Sequence, residues 1–301
     1  MDIRQLAYFV AIAEEESFSK AAKSLHVSQP SLSNAIMKLE KETELVLFER
    51  NTRGLHLTEA GELFYRRAVK LLQNFDHMKI ELDEMKTVGN GTIAIGLIES
   101  SKFWLFKVIK EFKKIYPNVH FQFKEVLGHQ KVIEALINCN VHFTITNQPI
   151  NNEEIKLIPI YHEPFILAVN KQDFLAAREN VSLKEIKNRD LIISTTGFQT
   201  RSDILTAFEK ENIQPNIFFE IERLETACRI VEEGLGVTIL PESYLKYAHS
   251  PNTVGIPIDS PYLSRTVYLA TLKDRTLTPA VHHLLSNIHL FINENENINK
   301  E

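Results

Sequence analysis

The chain reads as an all-helical segment followed by a two-lobed α/β segment, for three reasons. Across the first ninety residues apolar side chains recur at three- and four-residue spacing, and Pro30 is the only proline. From Thr87 a "TVGNGT" stretch breaks that pattern. Beyond it, alternating runs such as "TIAIGL" and "FQFKEV" are separated by helical stretches, the mark of βαβ units in a mostly parallel sheet. At 301 residues the chain is too long for one ordinary domain and long enough for two or three.

Within the helical segment the stretch "SFSKAAKSLHVSQPSLSNAIMKLE", residues 17 to 40, holds three lysines and one histidine before its first acid, Glu40. Phe18, Ala21, Ala22 and Leu25 fall at i, i+3, i+4 and i+7, and so do Leu32, Ala35, Ile36 and Leu39, so two short helices each bury one stripe. The small Ala21 and Ala22 let the second helix come close, Val27 plugs the corner, and Ser28 caps a helix whose first turn accepts Pro30. That is helix-turn-helix grammar. Gln29, Ser31, Ser33, Asn34 and Lys38 face outward with hydrogen-bonding groups of the kind that read base edges, and no carboxylate among them repels phosphate. Any helical hairpin shares the amphipathic spacing; the acid-free face and the next segment favour DNA.

In "LFERNTRGLHLTEAG" Leu47 and Phe48 read as an anchor, Gly54 as a turn, and Leu55 and Leu57 as a short strand before Thr58 caps a new helix. This is a β-wing, or else a solvated turn. Arg50 and Arg53 project from it, and a narrow minor groove attracts such arginines. From Thr58 to Lys86 the residues Phe64, Ala68, Leu71, Phe75, Met78, Leu82 and Met85 are spaced 4, 3, 4, 3, 4 and 3, a heptad stripe. The helix either packs on its own domain or pairs with a second copy; nothing upstream is large enough to cover it beyond Leu72, which favours self-association through Leu71, Phe75, Met78 and Leu82. Two helix-turn-helix units joined this way meet successive major grooves.

The second segment reads as strand 92–98, helix 101–115 stopped by Pro117, strand 119–126, helix 129–138 and strand 141–146. Near Pro159 the chain enters "YHEPFILAVN", to which no element is assigned. A second lobe follows: helix 182–188, strand 190–194, helix 199–211, strand 217–221, helix 223–233 and strand 236–240. Strand 265–271 and helix 278–292 close the fold, and "NENENINKE" reads as a frayed tail. Gly234 and Gly236 in "EEGLG" mark a helix stop and tight turn, since no second helix follows as a phosphate loop requires.

Composition limits the classes. Apolar residues at 44% and charged ones at 24% describe a soluble, globular chain. With 34 Lys+Arg against 39 Asp+Glu the formal charge is −5, so nucleic-acid binding must come from where the charges sit. Cys139 and Cys228 fit no metal spacing and read as buried small apolar residues. The apolar run Leu6 to Ala13 is too short to span a membrane and meets Glu14, Glu15 and Glu16 in place of a cleavage site, which points to the cytoplasm. No HExxH, GxSxG or GxxxxGK[ST] occurs and the eleven histidines are scattered, so no catalytic residue, metal site or cofactor is expected. Adjacent His282 and His283 would point about a hundred degrees apart on a helix, a solvated face more than a ligand pair.

Taken together, "MDIRQLAYFVAIAEEESFSKAAKSLHVSQPSLSNAIMKLEKETELVLFERNTRGLHLTEAG", "GTIAIG" and "VEEGLGVTILPES" resemble the LysR-type transcriptional regulators over essentially the whole chain. The resemblance implies a winged helix-turn-helix domain (1–58), a linker helix and hinge (59–90), and a periplasmic-binding-protein-like effector domain (91–301). Its first lobe would be about 91–160 with 267–293, and its second about 161–266. It implies a dimer of dimers on double-stranded DNA at an interrupted promoter dyad, RNA polymerase as a further partner, and a small-molecule effector. By position Gln29, Pro30, Ser31 and Ser33 approach bases and backbone, Arg53 the minor groove, and Lys20 belongs to the same surface. Asn34 stands where a longer side chain is common, and His142 where an aspartate is common before a strand near the cleft.

Ligands of two-lobed α/β proteins settle where strand ends and helix N-termini face a cleft. Ser100, Ser101, Gly128, His129, Thr146, Thr195 and Thr196 fall at such ends, and the resemblance places them in the effector cleft; simple N-capping explains the hydroxyls as well. Arg201 would supply a full charge, so a carboxylate-bearing anion is the expected effector. Glu99, beside Ser100, opposes an anion unless it points away. A solute-binding or transferase-like protein is the alternative for the two-lobed part, and leaves the first ninety residues without a purpose.

Overall fold

The computed structural model describes residues 1–51, 54–86, 91–248 and 250–298. The chain divides into two compact units, Met1–Asp83 and Glu84–Glu301. In the first, Asp2 opens α1 (Ile3–Glu15) with a reciprocal capping box: its carboxylate accepts the Gln5 N–H at 2.8 Å, and Gln5 Oε1 accepts the Asp2 N–H at 2.9 Å. Ser17 caps α2 (Phe18–Ser24), and Ser28 caps α3 (Gln29–Thr43), whose first turn takes Pro30 because an N–H there would have no helical partner. β1 (Phe48–Asn51) and β2 (Gly54–Leu57) form an antiparallel hairpin. Thr58 then starts α4 (Glu59–Met85), its Oγ1 accepting the Gly61 N–H at 3.0 Å.

Phe9 is the centre of this unit's core, with ring centroids 4.9 Å from both Phe48 and Phe64. Ile12, Ala21, Leu32, Leu39 and Leu47 are fully buried around it. Gly61 is obligatory where α4 meets the hairpin: a Cβ there would stand 2.1 Å from the Leu47 carbonyl oxygen.

The second unit carries β3 (Thr92–Leu97), α5 (Lys102–Phe112), β4 (His120–Glu125), α6 (His129–Ile137), β5 (Phe143–Thr146) and the long β6 (Ile155–Asn170). Next come α7 (Leu183–Ile186), β7 (Leu191–Ser194), α8 (Gln199–Lys210), β8 (Ile217–Ile221), α9 (Leu224–Glu232) and β9 (Val237–Pro241). α10 (Glu242–Tyr247), β10 (Thr253–Pro257), β11 (Ser264–Leu272) and α11 (Pro279–Ile298) complete it. The sheet order is β4-β3-β5-β11-β6-β9-β7-β8, with β10 also on β6. β3 pairs parallel with β4 and β5, and β7 with β8 and β9, whereas β6, β10 and β11 pair antiparallel. The mostly parallel sheet expected is therefore a mixed one. Each lobe is a parallel three-strand core closed by antiparallel returns.

The source of that difference is β6, the segment to which sequence reading assigns nothing. Its 16 residues run through both lobes despite Pro159 and Pro164, which break the alternation by which a strand is recognised. Next to Pro159 the register shifts between Val267 and Tyr268, leaving Ile160 without a partner on β11. One core gathers Leu105, Phe112, Phe143 and Leu284 in the first lobe, another Leu167, Leu183, Phe208 and Val237 in the second.

Two smaller expectations change. Cys228 is buried, its thiol pushed up to about 11 by burial first and by nearby Glu232, but Cys139 is only half-buried and takes a left-handed backbone at φ 51°. His283 packs at 5.7 Å from the Tyr116 ring and 6.1 Å from Phe112, leaving only His282 on the solvated face, because the helix turns one of the two inward. His142, standing where an aspartate is common, is 6% exposed, accepts the Ala94 N–H at Nδ1 (3.0 Å) and meets Glu84 through Nε2 (3.2 Å).

Candidate nucleic-acid interface and interlobe cleft

The turn between α2 and α3 is made by His26 in the left-handed region (φ 53°) and by Val27, whose N–H donates to the Ala22 carbonyl at 3.0 Å while its side chain joins the core. Buried Leu32, Ile36 and Leu39 fix the roll of α3, so Gln29, Pro30, Ser31, Asn34 and Lys38 are exposed and Ser33 is half-buried. Ser19 donates to Gln29 Oε1 at 3.0 Å, which ties the start of α3 to α2 and turns the Gln29 amide N–H₂ away from that bond. Lys20 is exposed in the first turn of α2. Lys38 is less free than expected, since one turn on Glu42 comes within 4.0 Å. Glu40, the acid that ends the basic window, holds the hairpin to α3, because its Oε1 accepts the Leu47 N–H at 2.8 Å and the Phe48 N–H at 3.3 Å. Arg53 and the side chain of Arg50 lie outside the described residues.

The two lobes of the second unit meet at a cleft lined by Glu99, Ser100, Gly128, Asn147, Gln148, Ser194, Thr200, Glu222 and Arg265 among others. Its tight inner part, 40 Å³, adjoins a wider groove of 660 Å³ lined by Gly128, His129, Lys131, Thr196 and Arg223. Arg265, on β11, is the hub. Its Nε donates to Glu163 Oε2 (2.8 Å), Nη2 to Glu163 Oε2 (2.6 Å) and to Ser100 Oγ (2.9 Å), and Nη1 to Thr200 Oγ1 (3.2 Å). A guanidinium has five N–H groups, so one on Nη1 is left over. Ser243 also donates to Glu163, so the buried carboxylate is held from both lobes.

Two helix N-termini meet this cleft and differ. α9 is closed by Glu99, whose Oε2 accepts the Leu224 N–H at 3.1 Å. α8 has no side-chain cap, and its first amides, of Gln199 and Thr200, have no acceptor among the described residues. Burial raises the Glu99 carboxyl above its ordinary range, against the Leu224 N–H and the charges of Lys102 and Arg223. Lys102 and Arg223, from opposite lobes, are both paired with Glu125, at 2.5 and 2.7 Å.

Ser100, Gly128, His129 and Thr196 thus line the cleft or its groove, and four other expected positions line neither. Ser101 is fully buried and donates to the Ile98 carbonyl at 2.8 Å, and Thr146 is fully buried and accepts the Gln148 N–H at 3.1 Å; both hydroxyls serve their own turns. Thr195 is half-buried at the end of β7. Arg201 turns back to the Ser194 carbonyl (2.7 Å) and Glu220 (2.6 Å), so its charge is spent within the second lobe. Sequence reading missed Arg265, Asn147, Gln148 and Thr200. A lone arginine amid an apolar strand, "SRTVYLATL", was the available signal for the first. Among the described residues no three His, Cys, Asp or Glu side chains are grouped to hold a metal ion, and no helix is long and apolar enough to cross a membrane.

With a helix-turn-helix surface in one unit and an interlobe cleft in the other, the chain has the parts of a ligand-responsive DNA-binding regulator. The family model "LysR substrate binding domain" matches residues 86–289, and "Bacterial regulatory helix-turn-helix protein, lysR family" matches residues 3–62. The chain belongs to the LysR-type transcriptional regulators. It is 31% identical to the transcriptional dual regulator GltC of Bacillus subtilis (strain 168), over 98% of this chain and 99% of that one. It is 31% identical to the HTH-type regulator YybE of the same organism, over 93% and 95%. Full-length BenM shares the fold with a TM-score of 0.61 at 26% identity, over 98% of both chains. Such relatives are transcriptional regulators and not enzymes, which removes the solute-binding and transferase alternatives.

Proposed function

We propose that this regulator senses a small metabolite carrying a carboxylate, held between the lobes of its second unit. The reading rests on one conjunction: the uncapped N terminus of α8 stands beside Ser100, Thr200 and the remaining N–H of Arg265, all in one cleft. Unsatisfied amides at a helix N terminus carry partial positive charge, and a carboxylate there gains charge-assisted hydrogen bonds. Ser100 donates to Glu163 only across 3.5 Å, a bond weak enough to be exchanged for a ligand oxygen.

On DNA, Gln29, Ser31, Ser33 and Asn34 read base edges with Pro30 against the backbone; Lys20, Lys38, Arg50 and Arg53 engage phosphates and the minor groove. The protein works in the cytoplasm as a dimer of dimers joined along α4, at an interrupted dyad in a promoter where RNA polymerase is its further partner, and needs no cofactor.

The test of the effector is thermal denaturation of the full chain with organic acids and with neutral sugars. A cognate acid at a hundredfold excess over its dissociation constant should stabilise the second unit by about 2.7 kcal/mol. Ser100→Ala should weaken that stabilisation. Stabilisation by neutral compounds alone would remove the carboxylate from the proposal.

A further inference from the structure

The anion-binding end described above accounts for one side of the cleft and leaves the other unexplained. Glu99 and Glu222 both line it, and neither forms an ion pair with a cation among the described residues. The neighbouring cations make their ion pairs elsewhere, Arg265 with Glu163 and Lys102 and Arg223 with Glu125, although the latter two also act on Glu99 at longer range. Glu222 is exposed at the mouth where the tight cleft joins the wider groove. Asn147 and Gln148, only 9% and 4% exposed, line the same cleft as these acids and Arg265. Their side-chain amides have no hydrogen-bond partner among the described residues.

Two largely buried side chains whose amides open into a cleft without a protein partner offer donors and acceptors to a polar ligand. A simple anion would satisfy α8 and Arg265 but would bring its charge toward two unpaired carboxylates. An ammonium group on the same small molecule resolves that conflict, because it pairs with the acids while the carboxylate pairs with the helix end.

Resting on the carboxylate reading above, we infer that the effector is a small zwitterion, an α-amino acid or close analogue. Its carboxylate sits at the N terminus of α8 and Arg265, its ammonium faces Glu99 and Glu222, and Asn147 and Gln148 take its remaining polar atoms.

Isothermal titration calorimetry on the full chain tests this with the standard amino acids, each set beside its 2-oxo acid, its 2-hydroxy acid and its decarboxylated amine. One amino acid should bind, with its 2-oxo and 2-hydroxy counterparts weaker by about tenfold or more. Glu222→Gln, an exposed and structurally neutral change, should shrink that difference and leave the affinity of the deaminated acid as it was. Glu99→Gln, which keeps a carbonyl for the Leu224 N–H, should act in the same direction. Deaminated acids binding as tightly as the amino acid would overturn the zwitterion and leave the carboxylate standing. Amines binding as tightly would remove the carboxylate instead. No binding by any amino acid, beside binding by other organic acids, would overturn this inference alone.

Discussion

Lys20 and Ser33 belong to one helix pair and would meet DNA through different physics. An exposed ammonium neutralises a phosphate whatever the sequence, releasing counterions, whereas a hydroxyl held on a helix by buried Leu32 and Ile36 meets one position of the groove. Lys20→Ala should therefore weaken operator and random DNA alike, with the salt slope shallower by about one unit, and Ser33→Ala should chiefly alter sequence preference. Binding isotherms on both DNAs across a salt series separate the two, and equal loss of discrimination in both variants would contradict the division. This surface was legible in the sequence because a helix of fixed period displays its outward residues as soon as its buried ones are known. The role of Glu40 was not, since its partners Leu47 and Phe48 are brought to it by the fold.

Among the elements, α4 shows how far one helix's own chain covers it. Ala68 is buried and Phe64 packs on the Phe9 core, but Leu71, Met78, Leu82 and Met85 are 47%, 48%, 52% and 61% exposed. Apolar residues at heptad spacing left open to water favour a partner helix, each buried side chain adding about 1.5–3 kcal/mol. Met78→Asp would place an unpaired charge in that seam at a cost of several kcal/mol. Sedimentation should show the variant dissociating at concentrations where the parent is assembled; an unchanged assembly state would mean the stripe is used otherwise. The heptad was plain in the spacing alone, while β6 was hidden, because prolines erase alternation and only neighbouring β11 and β9 make that segment a strand.

For the molecule as a whole, a partly buried charge cluster at the start of the second unit contributes to the response to pH. Burial pushes the Glu84 carboxyl up, but the hydrogen bond from His142 and the Arg275 guanidinium at 2.6 Å outweigh it and hold Glu84 below the usual carboxylate range. Arg275, its side chain 1% exposed, also donates to the Val141 carbonyl at 2.7 Å. Arg275→Met should destabilise by about 3–5 kcal/mol, because Glu84 keeps its charge and loses its cation. The unfolded chain binds the Glu84 proton more readily than the folded one, so this contribution is present above the unfolded value, about 4.3, and is lost as pH falls through the lower folded value. Glu99 and Asp203, both raised chiefly by burial, act oppositely: their contribution is present below the unfolded values and is lost as pH rises through the folded ones. Urea midpoints from pH 6 to pH 3 should fall less steeply in Arg275→Met than in the parent, and parallel curves would refute the assignment.

Whatever depends on local period and local chemistry could be read along the chain: the helix pair and its caps at Ser28 and Thr58, the wing hairpin, the heptad, and most α/β elements of the second unit. These follow from the spacing of neighbours, which folding leaves unchanged. The cleft exists only in the packed molecule. Arg265 and Ser100 lie 165 positions apart and Glu99 and Leu224 lie 125 apart, so no spacing announces that they touch. Arg201, next to expected cleft residues in sequence, is turned away by Glu220 from a neighbouring strand. A charge's role depends on which opposite charge the fold sets beside it, and that is a property of the packed chain, absent from any stretch of it.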